Sequence, residues 1–192
     1  FHGKSVPMAV ASPKWLRQLG HRALDLVFPP SCVVCHQSMD ALDDGIAICQ
    51  PCQDLLPHSA WATCGRCAAR VPEIPGDSET CSHCEEHRLR FDRTLCIGNY
   101  EGVLRDLVLQ MKEDATGQVA TALGRLLVER HREELADSKP DAIVPIPIHN
   151  WRRLARPANP VTTLAEKIAV GLGVPVRPKV LFWRKRTEAQ LG

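Results

Sequence analysis

Apolar residues three and four positions apart mark several stretches of the chain as amphipathic helices. Within "PKWLRQLGHRALDLVFPP", Trp15, Leu16, Leu19, Leu24, Leu26, Val27 and Phe28 recur at helix-like intervals until Pro29-Pro30 stops the pattern. Residues 1–30 therefore read as an amino-terminal amphipathic helix packed against the cysteine-rich region or the domain beyond it. The segment is too short and too weakly charged to lie on a membrane surface. Val103, Leu104, Leu107, Val108 and Met111 make a second stripe; Val119, Ala122, Leu123, Leu126 and Leu127 make a third. A fourth runs through Val161, Leu164, Ala165, Ile168 and Leu172, opened by Asn159 as N-cap with Pro160 at the first helical position.

Short apolar runs lie between these helices. "FDRTLCIGNYEG" reads as a strand ending at Gly98 or Gly102. Ala142-Ile143-Val144 is apolar without alternation, which predicts a strand buried on both faces, as in a parallel sheet. Pro145 and Pro147 end its pairing, because neither carries an N–H. Val180-Leu181-Phe182-Trp183 predicts a further short strand. Alternating helices and apolar strands predict an α/β domain over residues 91–192.

Residues 31–88 are organised by cysteine instead. Eight of the nine cysteines fall in four C-x-x-C pairs, Cys32/Cys35, Cys49/Cys52, Cys64/Cys67 and Cys81/Cys84. The last four repeat the first four at an offset of 32 residues, so the region is an internal duplication of C-x2-C-x13-C-x2-C. Two residues between thiolates let one tight turn aim both sulfurs at a single ion, and a second turn completes a tetrahedron. Two such knuckles roughly 15–20 residues apart are the usual signature of a four-cysteine zinc site. A redox C-x-x-C usually comes once, beside a strand–helix unit, and disulfides need an oxidising compartment. Both are weaker readings than a double zinc ribbon over 31–88 with two structural Zn²⁺ ions. Consecutive knuckles sharing an ion is the simplest pairing; a cross-braced arrangement fits the same spacing. Eight thiolates fill two tetrahedra, which leaves His36, His58, His83 and His87 as surface residues. Cys96 has no base placed beside it and reads as a small buried hydrophobe.

Charge changes the picture in the carboxy-terminal part. Residues 32–84 carry seven acids and two bases, whereas 147–192 carry nine bases and two acids. An anionic ligand would meet the second region. In open α/β sheets ligands sit beyond the carboxyl ends of the strands. The loop after Val144 brings His149, Arg152, Arg153 and Arg156 to such a place, ahead of a helix amino-terminus whose free N–H groups favour phosphate. Solvated loop arginines, with Asn159 only capping, are the plainer alternative. Phe1 at the start and "RKRTEAQLG" at the end read as a fragment or a mis-called start, with Met8 as the alternative initiator. No apolar run approaches the ~18 residues of a membrane span, and the start makes a poor signal peptide, so a soluble, cytoplasmic chain is expected.

Taken in order, "LDLVFPPSCVVC", the repeated knuckles, "FDRTLCIGNYEGVLRDLVLQMK", "DAIVPIPIHNWRRLARPAN" and "RKRTEAQ" resemble the ComF family. Its members are phosphoribosyltransferase-like proteins with an amino-terminal zinc ribbon, linked to competence and uptake of single-stranded DNA. The resemblance implies a type I phosphoribosyltransferase fold over 91–192, a mainly parallel sheet flanked by helices, incomplete at its carboxy-terminus. It also implies binding of phosphoribosyl pyrophosphate (PRPP) with Mg²⁺, with Arg156 and Asn159, and less directly His149 and Arg153, holding the pyrophosphate. Single-stranded DNA or proteins of the competence machinery are the implied partners. Two departures stand out. "RPANP" replaces the family's R-G-F-N-Q, so Pro157, Ala158 and Pro160 differ, and Pro157 fixes φ and removes a backbone donor. No stretch here carries the family's apolar strand running into two adjacent acids and a Thr/Gly-rich turn.

Overall fold

Four of the six helices among the described residues carry the expected stripes or adjoin them. The computed structural model describes residues 29–39, 45–56, 63–71, 81–87, 89–147, 159–182 and 184. The expected helix before Pro29, and the basic loop with His149, Arg152, Arg153 and Arg156, lie outside these residues. Two one-turn helices, α1 (Gln50–Asp54) and α2 (Ser82–Glu86), open directly from Cys49 and Cys81. The helical region then comprises α3 (Gly102–Glu113), α4 (Gln118–Arg130), α5 (Arg132–Ser138) and α6 (Pro160–Leu172).

Helix α4 is the central element. Val119, Ala122, Leu123, Leu126 and Val128 are buried along it, and α3 adds Leu104 and Leu107, with Val103, Val108 and Met111 partly covered. On its other side lies α6, which buries Ala165, Ile168 and Ala169. The two axes come close because Gly124 has no side chain: a Cβ there would stand 3.0 Å from the Leu164 carbonyl oxygen. Both ends of α6 are closed as its sequence indicates. Asn159 accepts from the Val161 N–H at 3.0 Å, and Gly173 adopts φ 68° while the Val174 N–H bonds to the Ala169 carbonyl.

The turn between α3 and α4 is held by a carboxylate. Asp114 accepts from the Thr116 N–H at 2.8 Å and from the Val119 N–H at 2.9 Å, satisfying a free donor of the first turn of α4. Burial raises its pKa, but bonds from the Thr116 hydroxyl and the Val119, Thr116 and Gly117 N–H groups outweigh that, and the net direction is down. A depressed native pKa stabilises the fold above the unfolded value of about 3.9, and this contribution is lost as pH falls through the native value. Asp114→Ala is therefore expected to cost about 1 kcal/mol at neutral pH. The melting difference from the parent should narrow on acidification, a trend that thermal melts at a series of pH values will show.

The expected sheet is reduced to one bridge among the described residues. Ile143 pairs in parallel with Val176, through Ile143 N–H to the Pro175 carbonyl at 3.0 Å and Arg177 N–H to the Ile143 carbonyl at 2.8 Å. This is a single parallel bridge with α6 between its two arms, and the second arm lies upstream of the expected Val180–Trp183. Val180, Leu181 and Phe182 are exposed and join no bridge among the described residues. "FDRTLCIGNYEG" is likewise no strand, because side chains claim its carbonyls: Arg66 bonds Phe91 O, His131 donates to Cys96 O, and Arg130 bonds Ile97 O. Cys96 is exposed, contrary to the buried position expected of it.

The first half of the cysteine region is continuous with the helical core. Val33, Ile46, Ile48 and Leu56, together with Cys32 and Cys52, form one cluster with Leu104, Leu107, Val119, Ala122, Leu123 and Leu126. Two arginines of α4 tie the layers. Arg125 donates to the Gly45 carbonyl, and Arg130 donates to the carbonyls of Gln53 at 3.1 Å and Leu56 at 2.8 Å as well as Ile97. Burial lowers the Arg130 pKa, yet a guanidinium stays charged, and its fork reaches acceptors that one ammonium cannot. Arg130→Ala should cost roughly 2 kcal/mol, read as a shift in urea midpoint, and Arg130→Lys should recover less than half of it.

Candidate metal centres

Each ribbon is built from a cysteine turn and a one-turn helix. In the first, the Ser31–Ser38 bridge closes a turn in which His36 N–H bonds Cys32 O and Cys32 N–H bonds Gln37 O, both at 2.9 Å. His36 takes φ 60° to complete it. Cys52 and Gln53 N–H groups both bond the Cys49 carbonyl at 2.9 Å, which starts α1. The second ribbon repeats this geometry 32 residues on. Thr63 bridges Arg70, Ala68 takes φ 58°, and the Cys84 N–H bonds the Cys81 carbonyl at 2.9 Å. The duplication seen in the cysteine spacing is thus a duplication of backbone conformation.

The sulfurs converge in two groups, Cys32, Cys35, Cys49 and Cys52 in one and Cys64, Cys67, Cys81 and Cys84 in the other, with all ligand atoms of a group within 4.8 Å of one another. Consecutive knuckles therefore close on each other, and the cross-braced alternative does not occur. Cys35 and Cys49 sulfurs are 3.7 Å apart, Cys64 and Cys84 3.7 Å, and Cys67 and Cys81 3.6 Å. Four thiolates at about 2.3 Å from a tetrahedral ion would lie roughly 3.8 Å from one another; a disulfide needs about 2.05 Å. The donor set and its spacing fit zinc and exclude internal disulfides in this state. His36, His83 and His87 are exposed, as surface residues should be, and the rings of the latter two meet tilted at 56° with centroids 4.5 Å apart. His58 lies outside the described residues.

The thiols within each group are electrostatically unlike. Burial pushes the Cys32 thiol up, but N–H groups of Cys35, Cys49 and Val34 together prevail and bring it down to about 6. The Cys67 N–H is the largest influence on Cys64, which also falls to about 6. Burial and the neighbouring thiols push Cys84 up to about 12 and raise Cys52 strongly. Without metal at neutral pH each group therefore holds one ready thiolate and at least one proton that a metal must displace. Zinc added to metal-free protein at about pH 7.5 should release protons, and its affinity should rise with pH. Calorimetry in buffers of different ionisation enthalpy measures both.

The sequence-derived phosphate site is only partly in view. Asn159 sits at the start of α6 with its side-chain oxygen engaged by the helix N–H groups, while Arg156, Arg153 and His149 lie outside the described residues. A polar cleft of about 330 Å³ opens between the first ribbon and the α3–α4 turn, but Glu113 and Asp114 line it, so it does not suit an anion. Spacing gave no sign of Arg125, Arg130 or Asp114, whose roles depend on which carbonyls and amides the fold places beside them. Among the described residues no helix is long and apolar enough to cross a membrane.

Twin four-sulfur clusters on duplicated knuckles are consistent with two structural zinc ions, and residues 23–96 match the double zinc ribbon domain family. Beyond those residues the chain shows distant homology to competence and DNA utilization proteins. It is 24% identical over 164 residues to competence protein F of Haemophilus influenzae, covering 84% of this chain and 69% of that protein. It is 28% identical over 140 residues to DNA utilization protein YhgH of Salmonella typhimurium, and equally to that of Salmonella typhi. These matches cover 66% of this chain and 62% of each Salmonella protein, so the chain spans less than two thirds of their length. No solved structure matches the chain.

Proposed function

We propose that the eight cysteines hold two structural zinc ions and that the chain serves DNA uptake or DNA utilisation in a ComF-type protein. Homology to competence protein F over 84% of this chain carries the reading, and the two tetrathiolate clusters support its metal content. All-thiolate sites are closed and leave no position for substrate, so the zinc ions brace the amino-terminal region and do no chemistry.

In the intact parent, Arg156 and Asn159, with His149 and Arg153, would hold the pyrophosphate of PRPP bound with Mg²⁺. Basic groups there stabilise the charge that departs when the anomeric carbon is attacked. The support for this site is the basic sequence ahead of α6, with Arg152, Arg153 and Arg156; the first N–H groups of the helix are themselves bonded to Asn159. Isothermal titration of the full-length parent with PRPP and Mg²⁺ tests this: saturable heat is expected, and none at millimolar ligand would dismiss it.

A second reading is a non-catalytic module for single-stranded DNA or a partner protein. It is favoured by Pro157 where the family has glycine, and by Phe182, which is largely exposed beside the basic tail. Base stacking on aromatics with arginines along the backbone is how such strands are held. Oligonucleotide affinity measured against salt decides it, since a flat dependence would rule out phosphate contacts by these bases.

A further inference from the structure

The two ribbons share one backbone plan but not one environment. Positions 33, 46, 48 and 56 of the first are Val, Ile, Ile and Leu, all buried in the cluster shared with α3 and α4. The duplication carries these positions onto Gly65, Ser78, Thr80 and Arg88. Four apolar docking residues have thus become small or polar in the second copy. Among the described residues, Cys64, Cys81 and Cys84 form a separate cluster with Cys67, Val71 and Leu89 packed against it. The hydrogen bonds differ in the same sense. Helix α4 reaches the first ribbon through Arg125 at Gly45 and Arg130 at Gln53 and Leu56. The second is held by its own short continuation: Arg66 donates to Leu89 and Phe91 carbonyls and accepts the Thr94 N–H on its own carbonyl.

We propose that the two metal sites are unequal in function, the Cys32/Cys35/Cys49/Cys52 site being a folding element of the helical core and the Cys64/Cys67/Cys81/Cys84 site a satellite whose metal exchanges while the rest stays folded. The physical reason is linkage. Opening the first cluster pulls Cys32 and Cys52 out of a core that also contains Leu104, Leu107, Leu123 and Leu126, so the core must open with it. Among the described residues, opening the second exposes only the side chains of its own small cluster, and local opening of so small a unit is much easier than global unfolding. The satellite is then the part of the molecule able to register metal supply or thiol oxidation without loss of the fold.

The inequality rests on zinc occupying both clusters, and its test separates the two claims. The zinc-loaded 192-residue chain is titrated with a chromogenic chelator while released metal and helical circular dichroism are followed together. One equivalent should leave first, at least about tenfold faster, with the helical signal retained; the second should leave only as that signal collapses. Cys84→Ser should keep one equivalent, melt close to the parent, and show only the phase coupled to the helices. Release of both equivalents in one step with the helices, survival of the helices after both are gone, or disappearance of the helix-coupled phase in Cys84→Ser would each overturn the inequality. A folded protein that carries no metal at all would instead remove the zinc reading beneath it.

Discussion

Cys52→Ser should leave the protein with one zinc ion and without a stable first ribbon. Cys52 is both a member of the first sulfur group and a buried residue of the core shared with α3 and α4. A structural zinc site contributes on the order of 10 kcal/mol of apparent binding free energy, while a whole domain is stable by only about 5–15 kcal/mol. Losing one of four thiolates therefore removes an amount comparable with the entire margin. The hydroxyl that replaces it is also left in an apolar cluster that includes Leu56 and Leu107, and an unpaired buried hydroxyl adds a further penalty. Metal analysis of the purified variant should find one equivalent, and a dye for exposed apolar surface should bind it strongly. Two equivalents with a native melt would show that the cluster tolerates three sulfurs.

Gly124→Leu is the second large effect. Glycine inside a helix ordinarily costs about 1 kcal/mol relative to alanine, so its place in the middle of α4 has to be offset by contact. The offset is the approach of α6, whose Leu164 carbonyl oxygen and Lys167 Cβ would each lie 3.0 Å from an added Cβ. A carbonyl in a helix cannot step aside as a side-chain end can. A leucine there must push the two helices apart or tilt one of them, an overpacking cost of roughly 2–3 kcal/mol. For a chain of this size that is a fall in melting temperature of roughly 5–10 °C. Gly171 offers the comparison: its added Cβ would meet the Val128 side chain at 2.9 Å, and alanine adds one carbon where leucine adds four, so Gly171→Ala should cost less.

The helices were readable because their cause is local. Leu104 and Leu107 on α3, Val119 to Leu126 on α4, and Ala165 and Ile168 on α6 occupy the faces that a 3.6-residue period assigns to the core. The cysteines were readable for a different reason: ligand geometry dictates spacing, and the knuckles recur at a fixed offset. Which knuckles share an ion could not be read, because either pairing satisfies the same intervals, and only the folded chain brings Cys35 to 3.7 Å from Cys49. The strands were read from runs of apolar residues, which say nothing about whether a neighbour is available. At residues 91–101 the carbonyls go to Arg66, Arg130 and His131, all distant in sequence, and the segment has no ladder to join. Gly124 and Arg130 were invisible for the same reason, since a close helix crossing and a cluster of carbonyls are properties of the fold.

The divergence of the two ribbons was present in the sequence but had no meaning there. Leu56 and Arg88 occupy equivalent places in the repeat, and only the burial of Leu56 against the helices shows what that exchange does.

Native mass spectrometry of the purified chain, before and after exhaustive alkylation of its thiols, bears most directly on the role of the cysteines. Two zinc ions per chain are expected before alkylation and none after it, with the helices lost alongside the metal. A metal-free chain with full helical content and freely alkylated cysteines throughout the repeat would contradict it.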